Sequence, residues 1–385
     1  MAGQPELRKF VAPELVFGEG ARLLAGQYAR NYGLSRVLVV TDPGVENAGW
    51  SDDVVAGLTG SGIEHVLFDR VSSNPRSAEV MNGAATYQEY CCDGIVTVGG
   101  GSCIDCAKGI GIVVSNNNHI LTFEGVDMVH IPMPPLISIP TTAGSAADVS
   151  QFAIISDEYR HVKIAIISKA TLPDVSLSDP ETTMTMPPEL TSYTGMDVLC
   201  HAGEALVSNA SSPFTDLFAI EAIRLVNTNL LNAINNPGDR TARRNMMLAS
   251  SYAGLAFSNA SLGLVHAMAH SLGGLLDLPH GECNSLLLEH VIPFNFNAAR
   301  DKYIMAASAL GISSHESDTD PCSSVVSRIH DLRVSAGIRG SLSELGVTRD
   351  HIPRLAKNAL NDPCIITNPR IPKLHEIEEL YVSSL

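Results

Sequence analysis

Four short apolar runs punctuate the first half of the chain: Arg36–Asp42 (RVLVVTD), His65–Asp69 (HVLFD), Gly94–Gly101 (GIVTVGGG) and Pro135–Thr142 (PLISIPTT). Between them lie amphipathic stretches of helical period, such as Ser77–Tyr90. Continuous apolar strands alternating with helices predict a mostly parallel, Rossmann-like sheet covered on both faces. The pattern then changes. Phe152–Ser168 predicts a β-hairpin with Asp157 and Glu158 near its turn. The segment Leu172–Leu190, rich in Pro, Thr and Asp, marks the expected boundary. Beyond it the periodicity is helical with almost no strand signal. The reading is an α/β domain over 1–185 followed by an all-helical domain over 186–385. No repeat, low-complexity tract or coiled-coil heptad interrupts it.

Composition narrows the function classes. A chain of 385 residues exceeds one ordinary core, and 45% hydrophobic residues suffice to fill two. Lys and Arg total 25 against 41 Asp and Glu, a net charge of −16. That balance argues against nucleic acid or an anionic membrane surface as the main partner. The opening MAGQPELRKF lacks the apolar core of a secretory signal. Eight scattered cysteines suit the reduced thiols of a cytoplasm better than a disulfide framework, so a cytoplasmic location is expected. Leu248–Leu276 carries no Asp, Glu, Lys or Arg. It does hold Asn259, several serines, His266 and His270, so a buried helix pair is expected there rather than a membrane span.

The third strand runs into TVGGGSCIDCAKGIGI. Gly99, Gly100 and Gly101 allow close backbone approach and positive φ, and Ser102 can cap the helix that follows. Free amides at that helix start favour a phosphate. The motif is neither GxGxxG nor a Walker loop, and a plain tight turn is the competing reading. Cys103 and Cys106 form a lone CxxC inside the predicted helix, better suited to packing than to zinc. Asp42, at the end of an earlier strand, can accept from an adenosine ribose and repel a 2′-phosphate, favouring NAD over NADP. It can equally be a turn residue before Pro43.

The helical half holds a second constellation. Asp197 and His201 are four apart on one helix face, as are His266 and His270, and His280 follows a Leu-Pro break. Singly, each is an ordinary core histidine or a surface pair. Jointly, in surroundings of low charge, Asp197, His201, His266 and His280 form a one-carboxylate, three-imidazole set suited to Fe(II), Zn(II) or Mn(II).

Together these segments resemble the iron-containing (group III) alcohol dehydrogenase family over nearly the whole chain. GGGSCIDCAK resembles its GGGSxxDxAK loop, and IPTTAG its second nucleotide loop. GMDVLCHAGEA and GLVHAMAHSLGG…PHG resemble its two metal-ligand segments, and NDPCIITNPR its C-terminal signature. The resemblance implies a dehydroquinate synthase-like fold, with an N-terminal nucleotide-binding domain, an all-helical metal-binding domain and the site between them. It implies Asp197, His201, His266 and His280 as ligands of a divalent metal, Fe(II) foremost with Zn(II) the alternative. It implies Gly100, Gly101 and Ser102 on the pyrophosphate, Thr141 and Thr142 beside the nicotinamide, Asp42 on the ribose, and Asn74, Ser145 and Lys163 as further cofactor contacts. His270 matches a non-ligand histidine near the substrate, a candidate proton relay. The implied activity is hydride transfer between NAD and a small primary alcohol or aldehyde, in a homodimer or higher homo-oligomer, with residues 9–17 as an edge strand. Phe152, Phe257 and Leu262 are expected to shape a small apolar pocket. The alternatives are a glycerol-dehydrogenase-like polyol oxidoreductase and a weakly active regulatory paralogue that binds NAD or metal. A dehydroquinate synthase reaction is disfavoured by the scarcity of basic residues around the ligands. One segment departs from the family: AGTGSE is replaced by AGSAAD, with Ala146 and Ala147 for a glycine and a serine.

Overall fold

Leu38 and Val40 point to one side of their strand, Val37 and Val39 to the other, and both sides are buried. That is the signature of a strand covered on two faces. In the computed structural model, which describes residues 9–313 and 320–385, this strand lies inside a six-stranded, all-parallel sheet. The sheet is built from β1 (Glu14–Phe17), β2 (Arg36–Val40), β3 (Glu64–Phe68), β4 (Gly94–Gly99), β6 (Leu136–Pro140) and β9 (Val175–Ser178), in the spatial order β1-β9-β6-β4-β2-β3. Helices α1 (Ala25–Asn31) and α3 (Trp50–Gly60) pack Ala25, Val54 and Leu58 on the face of Val37, Val96 and Ile137. Helices α4 (Ser77–Glu89) and α5 (Gly101–Asn116) pack Val80, Ala107 and Ile110 on the face of Leu38 and Ile95. Asp42 caps the short α2 (Pro43–Asn47), which follows β2 and packs against α3.

Three expectations need correction. The run at 65–69 is an edge strand whose Glu64, His65 and Leu67 are exposed, because nothing pairs beyond β3. The boundary segment contains β9, fully buried between β1 and β6. Its Val-Ser-Leu-Ser pattern hides a covered strand because Ser176 and Ser178 hydrogen-bond inward to the Asp148 carboxylate. Strand β1 is the opposite edge and spans only residues 14–17 of the expected 9–17.

The hairpin forms as β7 (Phe152–Asp157) and β8 (Val162–Ile167), antiparallel, with the two-residue β5 (Gly125–Val126) beside β8 in a separate three-stranded sheet. Past Ser178 the described residues form no further strand. Helices α6 (Pro188–Val207), α7 (Pro213–Asn235), α8 (Arg240–Ala260), α9 (Leu264–Leu276), α10 (His280–Phe296) and α11 (Arg300–Ala309) are followed by Pro321–Ser335, Ile352–Leu360 and Leu374–Ser383. The uncharged stretch 248–276 is the buried α8–α9 pair. Helix α7 is long and apolar enough to cross a membrane, with 39% of its most apolar window buried, and packs along α6 and α8. All eight cysteines are free; only Cys91 is exposed and only Cys322 half-buried.

Candidate active site

The chain leaves β2 to build β3 on one side and crosses to build β4 on the other. The order reverses between β2 and β4, and ligands settle beyond the carboxyl ends of strands at such a point. Asp42 and the glycine loop stand there. Asp42 Oδ1 accepts from the amides of Gly44 (2.8 Å) and Val45 (3.0 Å), and Oδ2 accepts from the Cys103 thiol at 3.1 Å. None of Gly99, Gly100 and Gly101 takes a positive φ. They are glycines because of crowding: a Cβ on Gly99 would lie 2.4 Å from Cys103 Sγ, and one on Gly101 2.6 Å from Ser145 Oγ. Ser102 does not cap α5; Gly100 is the N-cap without a side-chain bond, and the Ser102 hydroxyl donates to the Ser73 carbonyl instead. The amides at the start of α5 are therefore left open to the cleft. Thr141 closes the loop from below through its amide to Gly99 O, 3.0 Å. Thr142 and Ser145 line the same wall. Ala146 holds the left-handed conformation (φ 49°) that a glycine would adopt without strain.

The hairpin brings Lys163 over the cleft. Its Nζ donates to Asn74 Oδ1 at 2.7 Å, and Asn74 Nδ2 donates to Asp277 Oδ1 at 2.6 Å. Burial pushes the Lys163 ammonium below its ordinary value, against the pull of nearby acids. Gly273 and Gly274 let α9 approach the hairpin: a Cβ on Gly274 would lie 2.7 Å from Val162 Cα. Asp105, unremarked in the sequence, faces the cleft, and burial raises its carboxyl to about 7 against the Lys108 charge.

The opposite wall is helical. Asp197, His201 and Glu204 share one face of α6, His266 and His270 one face of α9, and His280 opens α10 after Pro279. One donor atom each from Asp197, His201, His266 and His280 lies within 4.8 Å of all the others. Asp197 is 3.8 Å from His201 Nδ1, 3.7 Å from His266 Nε2 and 3.9 Å from His280 Nε2. Ligands around one first-row cation with ~2.1 Å bonds stand ~3.4 Å apart, so the set fits such an ion with little adjustment. His201 Nδ1, a donor turned toward Asp197 and buried without a hydrogen-bond partner, fits the lone pair of a metal ligand. His201 is stacked between Phe257 and His266, each at 4.5 Å.

The electrostatics differ from ring to ring. Burial pushes His201 down to about 3 and His280 well below the ordinary range, only partly opposed by Asp197. Burial would do the same to His266, but the nearby Asp197 carboxylate and the bond to Glu204 override it and hold the ring at about 9. Asp197 is likewise disfavoured by burial, yet the surrounding histidines hold it well below the carboxylate range.

Three residues that sequence reasoning passed over complete the site. Glu204 accepts from His266 Nδ1 at 2.6 Å and from the Val265 amide at 2.6 Å, capping α9 while it fixes the ring. Asp362 accepts from His270 Nδ1 at 2.8 Å through one oxygen and from the Cys364 amide at 2.8 Å through the other. Asn284 lies among the four donors, its Nδ2 2.7 Å from Asp197 Oδ1. A signal existed for two of them: Glu204 follows His201 by three and Asn284 follows His280 by four, each on the face of a ligand. The two walls enclose one cleft of about 1140 Å³, lined by all the residues named as cofactor contacts, by the four donors and His270, and by Phe152, Phe257 and Leu262. It has room for a dinucleotide and a small substrate together.

Known proteins match the chain over nearly its whole length. A family model described as iron-containing alcohol dehydrogenase matches residues 12–180, and one described as Fe-containing alcohol dehydrogenase family, C-terminal, matches residues 191–385. Alcohol dehydrogenase 4 of Schizosaccharomyces pombe is 42% identical over 96% of this chain and 87% of its own length. The NAD-dependent methanol dehydrogenase of Bacillus methanolicus is 36% identical over 98% and 99%. The crystal structure of a 1,3-propanediol oxidoreductase superposes with a TM-score of 0.95, at 37% identity, covering 99% of this chain and 100% of that one. With both halves matched and the donor set gathered in one cleft, the chain belongs to the iron-containing alcohol dehydrogenase family.

Proposed function

We propose that this cleft interconverts a small primary alcohol and its aldehyde with NAD as hydride carrier, using a divalent metal, Fe(II), held by Asp197, His201, His266 and His280. The chain is an alcohol dehydrogenase, an oxidoreductase acting on CH–OH donors. The observation that carries the finer reading is the meeting of two sites in one cleft: open helix amides at the sheet's switch point, and an acid with three imidazoles facing them. Relatives named for methanol and 1,3-propanediol support a short alcohol as substrate. The metal would supply Lewis acidity toward the substrate oxygen, and NAD the acceptor for hydride.

The chain's own residues do the rest. Gly100, Gly101 and Ser102 leave amides free for the pyrophosphate, and Asp42, held by three donors, presents a fixed carboxylate to the ribose. Thr141, Thr142 and Ser145 border the nicotinamide, and Asn74 and Lys163 close over the cofactor from the hairpin side. His270 exchanges the hydroxyl proton at Nε2, because its Nδ1 proton is committed to Asp362. Phe152, Phe257 and Leu262 keep water from the reacting carbons. In this reading the α/β half (1–185) carries cofactor and the helical half (186–385) carries metal. The enzyme works in the cytoplasm as a homodimer or larger homo-oligomer.

The test measures metal content and NAD reduction by short alcohols on the same samples of wild type and His266→Ala. About one metal per chain in wild type, lost together with turnover in the variant, is the expected result. Turnover that survives metal loss would make the metal structural, and no metal in wild type after incubation with Fe(II) or Zn(II) would overturn the reading.

A further inference from the structure

Asn284 is fully buried, and nothing in the family-level reading gives it a task. Its Nδ2 lies 2.7 Å from Asp197 Oδ1, 3.0 Å from His280 Nε2 and 3.1 Å from His266 Nε2, three of the four donor atoms. Its Oδ1 is buried with no partner. An amide that spends both N–H groups on one site while stranding its oxygen is unusual, because an unmet buried acceptor costs about 1–3 kcal/mol.

The asymmetry has a physical reading. Without a cation, the site offers the Asp197 carboxylate and the His280 Nε2 lone pair, so an amide there must present its N–H groups. Once a cation takes those lone pairs, the same N–H groups point at positive charge and the stranded oxygen becomes the favourable end. The two orientations need only a half-turn about the last side-chain bond, in place, with no change of shape. Asn284 also sits one helical turn after His280, so its position is fixed by the same helix that delivers a ligand.

We propose that Asn284 is a two-state positioning residue of the metal centre. In the metal-free protein its amide hydrogens hold Asp197 and His280 in ligand register; in the loaded protein the amide is reversed and Oδ1 faces the cation as an additional oxygen donor. The inference rests on the metal site proposed above.

Two variants of near-equal size separate this role from packing. Asn284→Leu removes both ends of the amide. It should weaken Co(II) and Zn(II) binding, measured by chelator competition, by about tenfold or more, the range found for residues that orient metal ligands. The visible spectrum of its Co(II) form should gain intensity, as expected when an oxygen donor is lost and the centre becomes more nearly tetrahedral. Asn284→Asp replaces the amide with a charged oxygen donor. It should tighten binding about tenfold and enlarge the rise in melting temperature on loading, because two adjacent carboxylates repel until a cation joins them. Opposite displacements in the two variants support the proposal. Wild-type affinity and spectrum in Asn284→Leu would overturn it, as would equal weakening in both, since that is what lost packing alone produces. If wild type binds neither cation, the metal site itself fails and this inference with it. If wild type binds and the variants do not diverge, the metal site stands and only the role of Asn284 falls.

Discussion

At the scale of single residues, the two histidines of α9 each commit one ring nitrogen to a carboxylate, His266 to Glu204 and His270 to Asp362. Both His266 Nδ1 and His270 Nδ1 donate to a carboxylate, which fixes each ring's orientation and turns Nε2 toward the cleft. Asp362 serves two donors with its two oxygens, so Asp362→Asn must turn an NH2 toward one of them. The variant should keep its metal and lose at least tenfold in kcat, with little change in KM, because His270 is then misoriented or in the wrong tautomer; steady-state kinetics beside metal analysis will show it. The His266 environment sets a pH dependence as well. At neutral pH, His201 and His280 are already neutral, whereas His266, held at about 9, carries a proton that a cation must displace. Metal binding should therefore release about one proton near pH 7.5, measurable by calorimetry in buffers of different ionisation enthalpy. Affinity should rise about tenfold per pH unit across pH 6–8 and level off above about 9, because one proton competes with one cation.

At the scale of elements, α6, α9 and α10 must meet closely for the donors to converge, and small residues permit it. A Cβ on Gly281 would lie 2.4 Å from the Tyr193 carbonyl oxygen on α6, a backbone atom that cannot swing aside. Gly281→Ala should push the start of α10, and His280 with it, away from Asp197. The expected result is a folded protein, destabilised by about 1–3 kcal/mol in urea, whose metal affinity falls. This scale also shows what was legible in the sequence. The strands β2, β4 and β6 were legible because a strand buried on both faces is continuously apolar, and the ligand helices because acid and imidazole recur at four-residue spacing. Strand β9 was not, because its serines are satisfied by Asp148, a partner 28 residues away in sequence. The glycines of the loop are required by crowding against Cys103 and Ser145, which the sequence does not show, and not by the positive φ expected of them. Asp362 was illegible: the sequence cannot show that a residue 92 positions from His270 lies within hydrogen-bond distance.

At the scale of the whole molecule, the loops proposed to hold the cofactor come from residues 42–163 and the donor set from residues 197–280, so the two stand on facing walls of one cleft. They are joined by a core in which Ala143, Ala146, Val149 and Phe152 pack with the helical half, and by long-range hydrogen bonds that include Gln151–Ser258 and the Lys163–Asn74–Asp277 chain. Each wall also carries buried thiols of its own: Cys103 and Cys106 behind the glycine loop, and Cys200, Cys283 and Cys364 behind the donors. None of these five can react while its surroundings stay closed, so each is a clock for the opening of one wall. In a timed alkylation read by peptide mass, Cys91 should be modified first and Cys322 next. Saturating NAD should slow only the first pair and added metal only the other three, because a ligand suppresses the openings that disrupt its own site. If the five thiols age at one rate whatever is added, the walls open as a single unit. If they separate, the protein keeps two independent times, and the one kept by Cys200, Cys283 and Cys364 sets how long a loaded enzyme lasts before its metal can escape.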